Sequence, residues 1–574
     1  MALTTPDTRT RALPYVAALD GIRAVAVTAV LLYHGGVPGV PGGFLGVDVF
    51  FVLSGFLITS LLLAAPDLKQ FWVRRARRLL PAAVLVIVTC LVVTAAFYPW
   101  EAARTRGDAI ASLLYVNNWH QIVADRSYFT AFERPSTLQH LWSLSVEEQF
   151  YLLWPLALGF GLARAGRRWT VRATALAAVG SALLMGLLFV PGHDASRVYY
   201  GTDTHASGLL VGALLAFAWP LGPLRTAPHR RAAAVLDAAA VVALLALLGA
   251  MATWHDYDTL VFRGGFVIVA LVTAVLLASV VHPASRIAPL LGSAPLRWIG
   301  KRSYGIYLWH WPVMALTRPG LDLAWSRWVL VPLQVGLTVA LAAASYRWVE
   351  QPIRSGHGLE RMKGWLDARR PQQRLAIAVA STLAVTLAAV WIAVRDSPAR
   401  PVAHLPGTRS AAARGAPQGV PSAELSGRPL ALGASVMLGA QEALARRMRV
   451  DAAVGRQAGD IVGRLDAYRA TGRLPSRVVI QIGENGPIPA GDLLELRHAL
   501  RGVQRVVFVN VRISRSWGAE TNQQLARLVR GWPQARLADW YAASAAPGLL
   551  YEDRTHPNPR GARTYARIVR QALR

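Results

Sequence analysis

Long apolar blocks, separated by short arginine-bearing connectors, recur through the first two thirds of this 574-residue chain. Runs of about 17 to 25 apolar residues suit a helix that crosses a bilayer. They stand near 20–36, 45–64, 80–98, 139–162, 172–190, 204–219, 234–253, 264–281, 303–317, 327–347 and 374–394. About eleven spans are expected, because a backbone in lipid must satisfy its own polar groups and the helix does so within one segment. The composition agrees, with 54% apolar and only 16% charged residues and a mean hydropathy of +0.34. A single soluble domain, a fibrous chain and a disordered chain are excluded.

The formal charge is +29, from 61 basic and 32 acidic residues. Such a balance invites a nucleic-acid reading, but the positions of the arginines argue against it. Arg74, Arg75, Arg77 and Arg78 fall in one connector, and Arg164, Arg167 and Arg168 in the next but one. Arg225, Arg230 and Arg231 follow, then Arg297, Lys301 and Arg302, then Arg354, Arg361, Lys363, Arg369 and Arg370. Alternate connectors are basic, as expected where basic loops stay in the cytoplasm. The N-terminus is then cytoplasmic, and everything after the eleventh span lies outside. The first 14 residues carry no cleavage pattern, so the first span is expected to stay as an anchor. Residues 101–136 hold an apolar piece too short to span, which reads as an outer-face or re-entrant helix. The single Cys90 excludes an intrachain disulfide and any cysteine-built metal cluster.

Polar groups at membrane depth are costly and mark function by default. Arg23 and His34 share one helix, ~20° apart around its axis and ~16 Å apart along it. An arginine there suits an anionic group, and a histidine suits proton transfer; a snorkelling arginine and a helix-end histidine remain the bland alternative. Asp48 stands at a span entrance within Gly-Gly-Phe-Leu-Gly-Val-Asp-Val-Phe-Phe-Val-Leu-Ser-Gly (42–55). Glu147 and Glu148 lie in Ser-Leu-Ser-Val-Glu-Glu-Gln-Phe-Tyr (143–151), and His310 in Tyr-Gly-Ile-Tyr-Leu-Trp-His-Trp-Pro (304–312). Taken singly each fits an interfacial belt or a packing pair; together they are too many for passive packing.

With Phe-Trp-Val-Arg-Arg-Ala-Arg-Arg-Leu-Leu-Pro (71–81), these stretches, in this order from about residue 15 to 355, resemble the acyltransferase 3 family of bacterial membrane O-acyltransferases. The resemblance implies an acyl-CoA donor, acetyl-CoA above all, taken from the cytoplasm and docked near Arg23 and the basic 71–78 segment. It implies Arg23 and His34 as essential residues. Asp48, Glu147, Glu148, His310, Arg74 and Arg75 are the candidate substrate-binding residues.

Residues 396–427 are rich in Pro, Ala, Gly, Ser and Arg and read as a linker. From 428 the pattern becomes that of an α/β three-layer domain of ~147 residues. Strands are expected at Pro429–Gly433, Arg477–Gly483, Gln504–Val511 and near 535–540. Helices are expected at Ser435–Met448, near 519–531 and from about 560. Ser435 follows the first strand at a helix start, where the dipole favours developing negative charge. Asp553 precedes His556 by three residues, a spacing that lets a carboxylate orient an imidazole. Asn485 follows a strand and can offer its amide to an oxyanion. A serine at a helix start is in itself an ordinary cap; three such residues in chain order at strand ends outweigh that reading.

This part is similar to SGNH hydrolases, in particular those fused to acyltransferase 3 units. Val507–Trp517 with Asn522, Ala538-Asp539-Trp540-Tyr541, and His556-Pro557 with Gly561-Ala562 carry the likeness. Carried over by position, Ser435 is the nucleophile, His556 its base, Asp553 the partner of that base, and Asn485 with the Ser435 amide the oxyanion donors. Gly455 is the glycine of the second block. The chain departs from that pattern at Ala434, where an aspartate is usual, and at Glu484, where a small residue is usual. Glu484 is expected to place negative charge beside the oxyanion and raise the barrier.

The chain is thus read as a multi-span α-helical membrane domain (1–395), a linker and an extracytoplasmic SGNH-like domain (428–574). It would pass an acyl group through Ser435 to a hydroxyl of an envelope glycan. The charge of +12 over 428–574, from 23 arginines and 11 acidic residues, favours anionic wall polymers or lipid headgroups. Partners are the bilayer, the acyl-CoA and the glycan, with no metal and no nucleic acid. The rivals are an outer esterase or a degenerate outer domain, a small secreted acceptor, and a non-catalytic transporter.

Overall fold

A computed structural model describes residues 13–65, 67–124, 126, 128, 135–191, 194–221, 230–318, 322–323, 325–355, 427–453, 456–486, 488–513, 517–551 and 555–574. The chain divides into two compact units, one built on the helices before residue 356 and one on the sheet after residue 427. The expected eleventh span near 374–394 and the linker 396–427 lie outside the described residues.

The helical unit runs α1 (Ala17–His34), α2 (Gly46–Ala64), α3 (Leu68–Phe97), α4 (Ala102–Leu113), α5 (Asn117–Val123), α6 (Leu141–Arg164), α7 (Gly166–Leu188), α8 (Ser196–Tyr200), α9 (Thr202–His205) and α10 (Ser207–Ala218). It continues with α11 (Arg230–Thr253), α12 (Phe266–Val281), α13 (Ala288–Leu291), α14 (Ala294–Leu316), α15 (Arg327–Ser345) and α16 (Gln351–Arg354). Seven helices among the described residues are long and apolar enough to cross a membrane. This is an integral multi-span membrane protein. The expected spans at 139–162 and 303–317 fall on α6 and α14, which are long but are not among the seven. They carry the polar and aromatic residues of the site. The expected span at 204–219 is interrupted, since α10 has only 12 residues after the short α9.

One connector of the sequence reading is not a connector. Arg74, Arg75, Arg77 and Arg78 sit within α3, which begins at Leu68 because the Asp67 side chain caps it by accepting the Gln70 amide. The apolar count misses this polar first stretch, since helix propensity and capping extend a helix beyond its apolar run.

Glycines bring the central helices together. A Cβ on Gly55 of α2 would lie 1.8 Å from the Leu209 carbonyl, and one on Gly212 of α10 would lie 2.1 Å from that of Val52. Likewise a Cβ on Gly300 of α14 would meet the Asp20 carbonyl of α1 at 1.8 Å. Small residues at helix crossings permit such close backbone contact in a bilayer, where dispersion rather than the hydrophobic effect drives helix association. The last of these crossings fixes Arg23 of α1 relative to His310 of α14. Lipid-type surface lies further out, where Leu176, Val179, Leu183 and Leu187 of α7 are exposed.

The second unit is a parallel sheet of five strands in the order β2-β1-β3-β4-β5. These are β1 (Leu430–Gly433), β2 (Arg449–Ala452), β3 (Arg477–Gln481), β4 (Arg505–Val509) and β5 (Ala535–Ala538). The helices are α17 (Ser435–Gly439), α18 (Gln441–Ala445), α19 (Ala458–Ala470), α20 (Ala490–Ala499), α21 (Gly518–Arg530), α22 (Trp540–Ala543) and α23 (Pro559–Leu573). Leu430, Leu432, Val478, Ile480, Val506 and Phe508 face one buried layer. Ala431, Val479, Val507 and Val509 face the other. Burial on both faces explains why these strands read as continuous apolar runs. In such a sheet the crevice for a ligand opens where strand order reverses, here between β1 and β3 at their carboxyl ends.

Candidate active sites

The helical unit holds a cavity lined by Arg23 of α1, Ser54 of α2, Arg75 and Arg78 of α3, Ser143, Glu147 and Tyr151 of α6, and Tyr304 and Tyr307 of α14, among others. Its cavity volume is about 80 Å³. Glu147 Oε1 accepts the Ser54 hydroxyl at 2.6 Å, and Tyr151 donates to the same Ser54 oxygen at 2.8 Å. Arg75 stacks over the Tyr151 ring, 4.3 Å from its centroid. Three guanidiniums thus face one carboxylate, an excess of positive charge suited to a polyanion.

Tyr307 joins this cavity to a histidine cluster. Its hydroxyl lies 2.5 Å from Ser143 Oγ and donates to the His140 carbonyl at 2.9 Å. Its own carbonyl accepts from His310 Nδ1. A carbonyl can only accept, so a neutral His310 carries its proton on Nδ1 and its lone pair on Nε2. That Nε2 is 3.0 Å from His34 Nδ1, which must then be the donor. His34 is left with its lone pair on Nε2, the nitrogen able to act as base. His140 completes the cluster with its ring centroid 5.6 Å from that of His310.

The sheet unit brings Ser435 and His556 together across 121 residues. Ser435 Oγ lies 2.9 Å from His556 Nε2, the geometry in which the hydroxyl gives its proton to the ring. Both are buried, at the start of α17 and just before α23. Asn485 stands after β3, donates one amide hydrogen to the Arg456 carbonyl at 2.9 Å, and has a second hydrogen to offer. The turn before it needs Gly483, whose φ is +92° and where a Cβ would strike Thr521 at 2.4 Å. Glu484 lies within the same wall, and burial lifts its carboxyl to about 8, partly opposed by the Val436 amide.

Residues 16–347 match the model of the acyltransferase domain family. Peptidoglycan O-acetyltransferase OatA of Listeria monocytogenes is 34% identical over 618 residues, covering 97% of this chain and 98% of its own. The chain belongs to the acyltransferase family. O-acetyltransferase OatA of Staphylococcus aureus is 32% identical over 579 residues, covering 97% of this chain and 95% of its own. The solved C-terminal catalytic domain of Streptococcus pneumoniae peptidoglycan O-acetyltransferase A covers 26% of this chain and 93% of that chain, at 22% identity and a TM-score of 0.25.

Within this acyltransferase, Arg23, Arg75 and Glu147 meet in the cavity, while His34 and His310 meet beyond it. Arg74 does not line the cavity; it is exposed and donates to Gln70 one turn earlier, since neighbouring helix positions point ~100° apart. Glu148 is outside the lining for the same reason. Asp48 is not a cavity residue either. Its Oδ1 accepts from His205 Nε2 at 2.8 Å, and His205 Nδ1 faces the Tyr199 carbonyl at 2.7 Å. Asp48 and His205 thus form a buried hydrogen-bonded pair that ties α2 to α9. Asp553 and Gly455 lie outside the described residues. Sequence reasoning missed Arg78, Tyr307, His140 and His205. Arg78 was in view within the 71–81 stretch, whereas no spacing rule links His205 to a carboxylate 157 positions earlier.

Proposed function

We propose that this protein is a membrane O-acetyltransferase that moves acetyl from cytoplasmic acetyl-CoA to hydroxyls of peptidoglycan on the outer side. The observation that carries the reading is the Ser435–His556 contact at the strand-order reversal, in a chain similar over nearly its whole length to proteins named as peptidoglycan O-acetyltransferases. The N-terminus is cytoplasmic, the unit after residue 427 is outside, and residues 396–427 link them.

The cavity chemistry supports the donor. Arg23, Arg75 and Arg78 pair with the phosphates of CoA, and the thioester lies toward Tyr307 and His34. His34 Nε2 takes the proton of an attacking hydroxyl as its oxygen bonds to the acyl carbon. The C–S bond breaks, and CoA leaves as the thiol with that proton. In the outer unit, Ser435 Oγ bonds to the acyl carbon while its proton passes to His556, which returns it to the departing group. Asn485 and the Ser435 amide hold the oxyanion. Asp553 orients His556. A sugar hydroxyl then attacks acetyl-Ser435, gives its proton to His556, and Ser435 recovers it.

An outer esterase would use the same residues in reverse. Cellular O-acetyl content separates the two: Ser435→Ala is expected to abolish glycan acetylation, whereas under the esterase reading it raises acetylation.

A further inference from the structure

The Glu484 carboxyl is only 1% exposed, and its Oε2 is 3.4 Å from the backbone nitrogen of Val436, the residue after the nucleophile. Its Oε1 is buried and has no hydrogen-bond partner among the described residues. Among the described residues no cation is spare nearby. Arg456, on the segment before α19, gives its guanidinium to the carbonyls of Gly433 and Asp451 and to the Asp451 carboxylate. On α23, Tyr565 donates its hydroxyl to Gln481. His556 is engaged with Ser435, α17 brings no charged side chain, and Thr521 of α21 is neutral. A buried carboxylate without a counter-ion is costly enough that the group takes up a proton instead.

We propose that Glu484 is a positioning residue that braces the Ser435 turn as a neutral acid, accepting the Val436 amide without placing charge beside the oxyanion. This rests on the reading of Ser435 as nucleophile. The brace fixes the first turn of α17, so that Ser435 Oγ stays in line with His556 Nε2. The cost the sequence suggested for a carboxylate here therefore arises only when the group ionises. Burial sets that point at about 8, and the sign follows. Below about 8 the acid is neutral and the site works; as pH rises through that value the carboxylate forms and opposes the oxyanion.

The test uses the full-length protein in membranes, with 4-nitrophenyl acetate as probe from about pH 6 to about pH 10. Wild-type kcat is expected to fall about tenfold per pH unit on the alkaline side, as for loss of one essential proton. Glu484→Gln keeps a neutral acceptor, so it retains kcat at neutral pH and loses the alkaline fall. Glu484→Ala loses kcat by about tenfold or more at every pH with KM nearly unchanged, the pattern of lost transition-state geometry. A Glu484→Gln protein with the wild-type alkaline limb, or a Glu484→Ala protein with wild-type kcat, overturns the proposal. Ser435→Ala separates the two failures. If it retains turnover, the nucleophile reading falls and takes this inference with it; if it is inactive while Glu484→Gln keeps the limb, only the inference falls.

Discussion

His310 acts on His34 through what each ring nitrogen can do. Because its Nδ1 is committed to the Tyr307 carbonyl, its Nε2 can only accept from His34 while the ring is neutral. Replacing His310 with Phe removes that acceptor and frees the His34 tautomer. Acetyl transfer is expected to fall by about 10²-fold, a typical loss for a misplaced general base, with little change in donor KM. Arg78→Ala is expected to do the opposite: KM for acetyl-CoA rises about tenfold through one lost charge-assisted contact, while kcat holds. Arg23, His34 and His310 were legible because they sit in recognisable stretches, with Arg23 and His34 on one helix face. His140 and His205 were not, since their partners come from distant elements, and burial rather than spacing brings them together. Asp48 was legible as a costly polar group in the membrane, while its His205 partner was not.

The helices and strands were legible where one period dominates. The apolar runs of α2, α11 and α12 and the buried strands β3 and β4 fall close to their expected places. β2 was not seen because Arg449–Ala452 is short, polar and only half-buried, and its pairing with β1 is what makes it a strand. α3 was begun too late because its arginine turns carry no apolar signal. The helix crossings yield the prediction for this scale. Gly55→Val would force its side chain into the Leu209 carbonyl and push α2 off α10. Folded protein recovered from membranes is expected to fall sharply, while Gly336→Val, whose Cβ meets nothing within 4 Å, leaves the yield unchanged. In the sheet domain, Asp451 binds Arg456, Arg464 and Tyr468 at once. Burial alone would raise its pKa, yet those partners hold it below the ordinary carboxylate value. Its contribution to stability is therefore full above that ordinary value and is lost as pH falls through the lowered one. Asp451→Ala should cost about 1–3 kcal/mol of domain stability near neutral pH, read from thermal unfolding at several pH values.

At the scale of the molecule, two separate chemistries share one chain. The helical unit carries a basic cavity and a histidine cluster, and the sheet unit carries a serine with its own histidine. On the proposed reading neither site alone carries acetyl from a cytoplasmic donor to an outer glycan, so the central claim is that they act in sequence. Membranes bearing the full-length protein, given radiolabelled acetyl-CoA, test it directly by following label on the protein and on added peptidoglycan. Loss of all labelling in His34→Ala, with Ser435→Ala blocking only the label on peptidoglycan, is the result expected. Peptidoglycan labelled as in wild type by Ser435→Ala would contradict the account, because Ser435 would then stand outside the transfer.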